Sequence, residues 1–133
     1  MASINNPKLL VGADQLHNRA TVTVSCDVEF TDFEVNAVNT LRLHYTLQCQ
    51  LLNKDLWQTK PVAVFDEWTF PRVTEVTVSK HELVVFNTDR PMSDLHTHFL
   101  SKDSLEAELV LRNQETGQDV VSRTDVVSID LTA

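Results

Sequence analysis

Glycine is scarce in this chain: Gly12 and Gly117 are the only two among 133 residues. A phosphate-binding loop needs several glycines close together, because its backbone must approach the phosphate closely. The sequence therefore excludes both common types of glycine-rich nucleotide loop. Turns must be formed instead by Asn, Asp, Ser and Pro, which favour tight turns through their side chains or ring.

Lysine and arginine are few and are scattered singly along the sequence. They number 11 against 19 aspartates and glutamates, and the formal net charge is −8. Binding to a phosphate backbone or an anionic lipid surface depends on clustered basic side chains. We therefore expect neither nucleic acid nor membrane as a partner, and we attribute the acidity to solubility.

Long apolar runs are missing too. No segment reaches the roughly 18 consecutive apolar residues of a membrane-spanning helix, and the run at residues 9–11 is too brief for a secretory signal. We expect a soluble protein with a single domain over residues 1–133, which is either cytoplasmic or a mature chain whose leader is missing. The polar N-terminal segment, residues 1–18, is the part expected to be mobile.

Cysteine is limited to Cys26 and Cys49. There is no Cys-x-x-Cys pair, which excludes a zinc knuckle and a dithiol redox motif of that kind. The spacing typical of immunoglobulin domains, with a tryptophan soon after the first cysteine, is missing as well. Both residues fall at inward positions of the strands predicted below, so we expect two buried, reduced thiols.

Two long segments, residues 20–30 and 41–51, alternate apolar and polar residues almost without interruption. Successive side chains of a β-strand point to opposite faces of its sheet, so this period predicts two half-buried strands. The inward residues would be Val22, Val24, Cys26, Val28 and Phe30 in the first, and Leu41, Leu43, Tyr45, Leu47, Cys49 and Leu51 in the second. With a turn at residues 36–39, the strands predict an antiparallel hairpin in which Cys26 faces Cys49.

Further strands are predicted between polar turns, at residues 56–65, 73–79, 81–86, 105–113 and 126–131. Pro61 lacks an amide hydrogen, which places the first of these at a sheet edge or a bulge. The apolar run at 81–86 predicts burial on both faces. The pattern is typical of an all-β, antiparallel, immunoglobulin-like β-sandwich of about seven to eight strands. A closed barrel is less favoured, because its corners need glycine.

The segment at residues 93–100 leaves two interpretations open. Ser93 could cap a short helix that buries Leu95 and Phe99. The same segment could equally be an irregular loop that crosses between two sheets.

The densest group of potential metal ligands is Asp94, His96 and His98, followed by Asp103. In an extended segment His96 and His98 would project to the same side and could share a zinc ion with a carboxylate. In a helical turn they would point about 200° apart and could not chelate one ion. A His-x-His pair without a third close ligand is common on surfaces, so we expect no bound transition metal and no cofactor.

Loop oxygens are the candidates for a calcium site, because Ca²⁺ binds carboxylate and carbonyl oxygens. These candidates are Asn87, Asp89, Asp94, Asp66, Glu67 and Asp32. None follows the spaced-aspartate calcium loop, which also requires a glycine. A solvated acidic rim is therefore the expectation and calcium binding the alternative.

Trp57, Trp68 and Phe70 form an aromatic group beside Asp66 and Glu67. Aromatic rings next to carboxylates can bind sugar rings, and exposed tryptophan is common at protein interfaces. Tryptophan in a small sandwich is more often packed in the core. Exposure of the two tryptophans would therefore distinguish a binding surface from ordinary packing.

Catalysis has less support than binding. The pairs Asp27/Glu29 and Glu106/Glu108 each share one strand face, but acids on the outer face of a strand are usually its wet side. No Gly-x-Ser-x-Gly nucleophile elbow occurs in the sequence. We therefore expect a protein that is not an enzyme.

The sequence thus predicts a non-enzymatic protein-interaction or structural module that acts through a sheet edge or face. Outward apolar residues at Leu52, Val84 and Val110 predict a surface patch, and a twofold homodimer is the simplest assembly. The other predicted interaction residues are Trp57, Trp68 and Phe70. The alternative is a carbohydrate- or calcium-binding module that uses end loops, and an enzyme of unknown type is the third interpretation.

Overall fold

The structure, a computed structural model, describes residues 1–54, 58–96 and 102–132. Within these residues the elements are β1 (Ser3–Asp14), β2 (Arg19–Glu29), α1 (Asp32–Leu41), β3 (Tyr45–Lys54), β4 (Thr59–Val64), β5 (Trp68–Phe70), β6 (His81–Pro91), α2 (Met92–Leu95), β7 (Asp103–Asn113), β8 (Asp119–Arg123) and β9 (Val127–Ile129). The strands form two antiparallel sheets. The small sheet has the order β1-β2-β6, and the large sheet has the order β4-β3-β7-β8, with β5 added on β3 and β9 on β7. An all-β, sandwich-like fold is confirmed.

The core lies between the two sheets and consists of alternating inward side chains. In β2 every second residue from Val22 to Val28 is buried, and Phe30 continues the series. The inward residues of β7, from Leu105 to Leu111, are buried in the same way. The inward set predicted for residues 20–30 is confirmed, because a period of two in sequence matches the pleat of a strand.

The predicted hairpin between residues 20–30 and 41–51 is wrong. β2 belongs to the small sheet and β3 to the large one, so Cys26 and Cys49 lie in different sheets. Both thiols are free and buried. The connection between the strands is helix α1, which contains the predicted turn at 36–39 and ends at the exposed Leu41.

A capping box explains why a helix begins at this point. The Thr31 hydroxyl accepts a hydrogen bond from the Glu34 amide at 3.2 Å, and the Glu34 carboxylate accepts one from the Thr31 amide at 2.8 Å. The pattern Thr-x-x-Glu is a helix-start signal that can be read in a sequence. It was missed because the alternation of Leu41, Leu43 and Tyr45 indicated a strand.

The edge position predicted for Pro61 is confirmed. Pro61 lies in β4, which is the outermost strand on its side of the large sheet. The pairing of β4 with β3 also shifts register between Leu51 and Leu52. Both the proline and the irregular register make this edge a poor template for further pairing.

The predicted strand at residues 73–79 is wrong, since this segment contains a turn and a bend and its other residues are irregular. The Asn39 side chain accepts a hydrogen bond from the Val78 amide at 2.8 Å and donates one to the Val78 carbonyl at 3.1 Å. One side-chain amide therefore bonds the main-chain groups that a neighbouring strand would otherwise bond.

The N-terminal segment, predicted to be mobile, contains a strand that the sequence analysis missed. β1 pairs with β2 from Ser3 opposite Glu29 to Asp14 opposite Arg19. The Ala2 amide donates a hydrogen bond to the Glu34 carboxylate at 2.9 Å, which joins the start of the chain to α1.

The segment after β6 begins with a short helix. Helix α2 follows Pro91 and lacks a side-chain cap, so Ser93 does not cap it. Leu95 is buried as predicted, and Phe99 lies outside the described residues. Among the described residues, no helix has the length and apolar character needed to cross a membrane.

Candidate functional site at the free edge of strand β6

Several of the residues predicted for interaction lie inside the molecule. Phe70 and Val84 are buried in the core between the sheets. Leu52 is only 5% exposed. The predicted outward patch of Leu52, Val84 and Val110 therefore does not form, since its first two members are buried.

The burial of Leu52 has a local cause. It faces Glu106 on the outer side of the large sheet, and Glu106 is buried as well. Lys54 and Arg123 donate hydrogen bonds to the Glu106 carboxylate at 3.5 Å and 3.3 Å. The outer face of the sheet is thus covered within the molecule at this point, and farther along it Val110 is half-buried.

Trp68 is half-buried, and its ring is already in contact with other side chains. The guanidinium carbon of Arg72 lies 3.7 Å from the ring centroid, and Phe86 packs against the same indole at 6.0 Å between centroids. A sugar stacked on that face would have to displace a cation–π contact. Trp57 lies outside the described residues.

Strand β6 is an edge strand, and its register with β2 defines which of its main-chain groups point outward. Facing residues of antiparallel strands alternate between pairs that exchange hydrogen bonds and pairs that do not. Just beyond the strand, the Phe30 amide donates to the Lys80 carbonyl at 2.8 Å. At the other end the Met92 amide donates to the Asn18 carbonyl at 3.0 Å.

Both bonds join residues that continue the β2–β6 register, which pairs Val28 with Glu82 and Cys26 with Val84. Even-numbered residues of β6 therefore exchange hydrogen bonds with β2. The odd-numbered residues direct their N–H and C=O groups away from β2. They are His81, Leu83, Val85, Asn87 and Asp89, together with Pro91, which has a C=O group but no N–H. In the described part of the chain, no strand pairs with this side of β6.

The same odd-numbered residues point their side chains to solvent, on the outer face of the small sheet. Leu83 is 71% exposed and Val85 is 39% exposed. The prediction that residues 81–86 are buried on both faces is therefore wrong. These two side chains are the functional candidates that sequence reasoning missed, because the apolar run alone does not show that one face of this sheet is open.

The middle of this edge lacks the usual protection against pairing. Edge strands are commonly protected by proline, a bulge or a charged side chain, and β4 has the first two. The register of β6 with β2 is unbroken over its whole length. The charged residues of β6 lie near its ends, and residues 83–87 carry no charge. An extended polypeptide could add a strand here with apolar contacts to Leu83 and Val85.

A buried polar cluster lies at the end of the sandwich that carries α2. Asp103 accepts hydrogen bonds from the Asn53 side-chain amide at 2.9 Å and from His96 Nδ1 at 2.5 Å. Asn53 also donates to the Leu95 carbonyl at 2.8 Å. The cluster holds α2 against β3 and β7, and Asn53 and Asp103 are fully buried.

His96 lines an open cleft of about 450 Å³ together with Ser93 and Thr132. A carboxylate on Nδ1 orients the imidazole as it does in acid–base catalysis. Among the described residues, however, no hydroxyl or thiol is hydrogen-bonded to His96. The contacts of the cluster within the described residues fix α2 against β3 and β7.

The predicted metal and calcium ligands are dispersed. Asp89 on β6 is bonded by Arg19 at 3.1 Å, whereas Asp32 lies at the opposite end of the sandwich beside Lys80. Asp94 is exposed, and His98 lies outside the described residues. Within residues 1–54, 58–96 and 102–132, no three His, Cys, Asp or Glu side chains are grouped closely enough to hold a metal ion.

A second polar cluster lies at the α1 end. The Glu34 carboxylate accepts hydrogen bonds from the Tyr45 hydroxyl at 3.0 Å and from the Ala2 and Thr31 amides. Burial, and after it the neighbouring Glu34 carboxylate, raise the pKa of Tyr45 to about 12. Burial also raises the pKa of Glu34, but the hydrogen bonds to its carboxylate outweigh this effect and lower the pKa overall. This cluster joins the N-terminus, α1 and β3.

The comparisons with known proteins add no assignment. No protein-family model matches the chain, and no curated protein matches its sequence. The function has to be inferred from the geometry of the chain itself.

Proposed function

We propose that this protein is a non-enzymatic interaction module that accepts an extended polypeptide strand at the free edge of β6. The observation that supports this is the coincidence of two properties on the same residues. Leu83 and Val85 direct main-chain N–H and C=O groups away from β2 and expose apolar side chains on the same sheet. We also propose that the sandwich is immunoglobulin-like, as the sequence pattern predicts.

The physical basis is strand addition. Each main-chain hydrogen bond formed at such an edge contributes about 0.5–1.5 kcal/mol net. Alternate side chains of the partner determine the specificity of binding through their contacts with the sheet face. Since Leu83 and Val85 are separated by one residue, apolar partner residues at the same spacing would lie against them. The uncharged centre of the edge favours a partner strand whose charges lie at its ends.

The test uses a fluorescein-labelled peptide of about ten residues, alternating threonine and valine with a lysine at each end. Its binding is measured by fluorescence polarisation at low protein concentration. Val85→Pro removes one outward N–H and leaves the hydrogen bonds to β2 in place. Val85→Thr is the matched control, because it keeps the amide and the branched shape.

We expect wild type and Val85→Thr to bind within about threefold of each other, and Val85→Pro to bind at least about tenfold more weakly. The same peptide N-methylated at every residue should not bind, because neither of its edges then has an N–H group for the ladder. Equal binding by Val85→Pro, or equal binding of the methylated peptide, would refute strand addition at β6. Urea unfolding of each variant shows whether the fold is retained.

A further inference from the structure

The geometry points to a second copy of this chain as the strand that β6 accepts, with the two β6 strands antiparallel across a twofold axis. This inference rests on the proposed strand-acceptor function and names its partner. An edge strand and its twofold copy are antiparallel by symmetry, so the outward groups of one can bond the outward groups of the other. The result would be a continuous sheet through both small sheets, in the order β1-β2-β6-β6-β2-β1.

Self-pairing is compatible with the way outward main-chain groups alternate along β6. The outward residues of β6 are all odd-numbered, so an odd-numbered residue of one copy must face an odd-numbered residue of the other. Symmetry then allows only registers that differ by steps of two residues. Three of them place Leu83 or Val85 near the axis.

One of these registers gives both Leu83 and Val85 an apolar partner. With the axis at Val84, Leu83 of each copy faces Val85 of the other, and His81 faces Asn87. The two apolar pairs then adjoin on the outer sheet face, where Leu83 and Val85 are exposed. Moving the axis to Leu83 places Val85 opposite His81, and moving it to Val85 places Leu83 opposite Asn87. The central register therefore buries the most apolar surface.

Charge sets the expected salt dependence. The paired segment is uncharged from Leu83 to Asn87, whereas each whole chain carries −8. Two such chains repel each other, and salt screens this repulsion beyond about 8 Å at physiological ionic strength. Association through β6 should therefore tighten as salt is added, which is opposite to the behaviour of an interface held by ion pairs.

The test is sedimentation equilibrium of the full chain across a wide concentration range, at low and high salt. Val85→Lys places a charge at the centre of the proposed interface. Val121→Lys is the matched control, since Val121 is also an exposed strand valine, 57% exposed on β8 of the other sheet. We expect a dimer for wild type and Val121→Lys, and at least about tenfold weaker dimerisation for Val85→Lys.

The register between the two β6 strands is determined from the disulfides that form when two cysteine variants are mixed and mildly oxidised. Leu83→Cys and Val85→Cys chains, combined, should form the mixed disulfide in preference to either symmetric one, because facing residues lie about 5.5 Å apart. The native Cys26 and Cys49 are buried and take no part. Predominance of a symmetric disulfide would overturn the register.

The remaining outcomes separate the inference from the proposed function. A wild type that stays monomeric while it binds the threonine–valine peptide at β6 overturns self-pairing and leaves the strand-acceptor function standing. A dimer that Val85→Lys does not weaken, or an assembly larger than a dimer, also overturns self-pairing through β6. Monomeric protein that binds no peptide contradicts both.

Discussion

The Phe30 amide donates to the Lys80 carbonyl across 2.8 Å, and this bond defines which residues of β6 direct their main-chain groups outward. Hydrogen-bonded pairs alternate along an antiparallel ladder. The bond therefore implies that the N–H and C=O groups of the even-numbered residues of β6 point toward β2. Had the alternation been the reverse, the outward main-chain groups would belong to Val84 and Phe86, whose side chains are buried. As it is, those groups belong to the residues with exposed side chains.

Tyr45 should titrate at unusually high pH. It is the only tyrosine in the chain, so absorbance at the tyrosinate band reports on it alone. Its pKa is raised to about 12 by burial and by Glu34, from an ordinary value of 10.0. A raised folded-state pKa gives stability that is fully present below pH 10 and is lost as pH rises through about 12.

Glu34→Gln tests the cause of that shift. Removing the carboxylate charge should move the Tyr45 transition toward its ordinary value, while burial keeps the pKa above it. The native transition is measured by spectrophotometric titration, and the same titration in urea gives the unfolded reference. An unchanged transition in Glu34→Gln would contradict the contribution assigned to Glu34.

The two thiols should be inert in the folded protein. Burial raises the pKa of Cys26 to about 12, and burial also raises the pKa of Cys49. The thiolate is the reactive form, so a disulfide reagent should modify either residue only as fast as the protein unfolds. Reaction of one thiol in the native state much faster than global unfolding would show that it is accessible.

Asn53→Asp should destabilise the fold. It replaces a donor to Asp103 with a second buried carboxylate, and the expected loss is about 3 kcal/mol at pH 7. Gln50→Glu is the control, because Gln50 donates to Glu108 at 3.0 Å on the outer sheet face, where water screens the added charge. Its expected loss is under about 1 kcal/mol. Urea denaturation gives both values, and equal losses would contradict the role assigned to the Asn53–Asp103 contact.

Sequence periodicity correctly predicted the strands that keep one face on the core along their whole length. β2 and β7 each have one face on the core and one outside it, so their alternation translates into burial, except at Glu106 on the outer face of β7. It failed after Phe30, where the alternation of Leu41 and Leu43 continues past a helix boundary. There a local signal, the capping box of Thr31 and Glu34, outweighs the pattern.

The candidate site could be predicted only in part. The sequence predicts interaction through a sheet edge or face, and it predicts a strand over residues 81–86. Which of its residues face water depends on strand order, because an apolar run is equally compatible with a strand covered on both faces. The outward main-chain groups depend on the pairing of β6 with β2, which involves residues more than 50 positions apart in the sequence.

Residue-resolved amide hydrogen exchange along β6, in dilute protein with and without the threonine–valine peptide, tests the central claim most directly. In the free protein we predict an alternating pattern, with fast exchange at Leu83, Val85 and Asn87 and slow exchange at Val84 and Phe86. Addition of the peptide should slow the three fast amides and leave the slow ones unchanged. Slow exchange of Leu83 and Val85 in the free protein, or no response of these amides to a bound peptide, would contradict strand addition at the β6 edge.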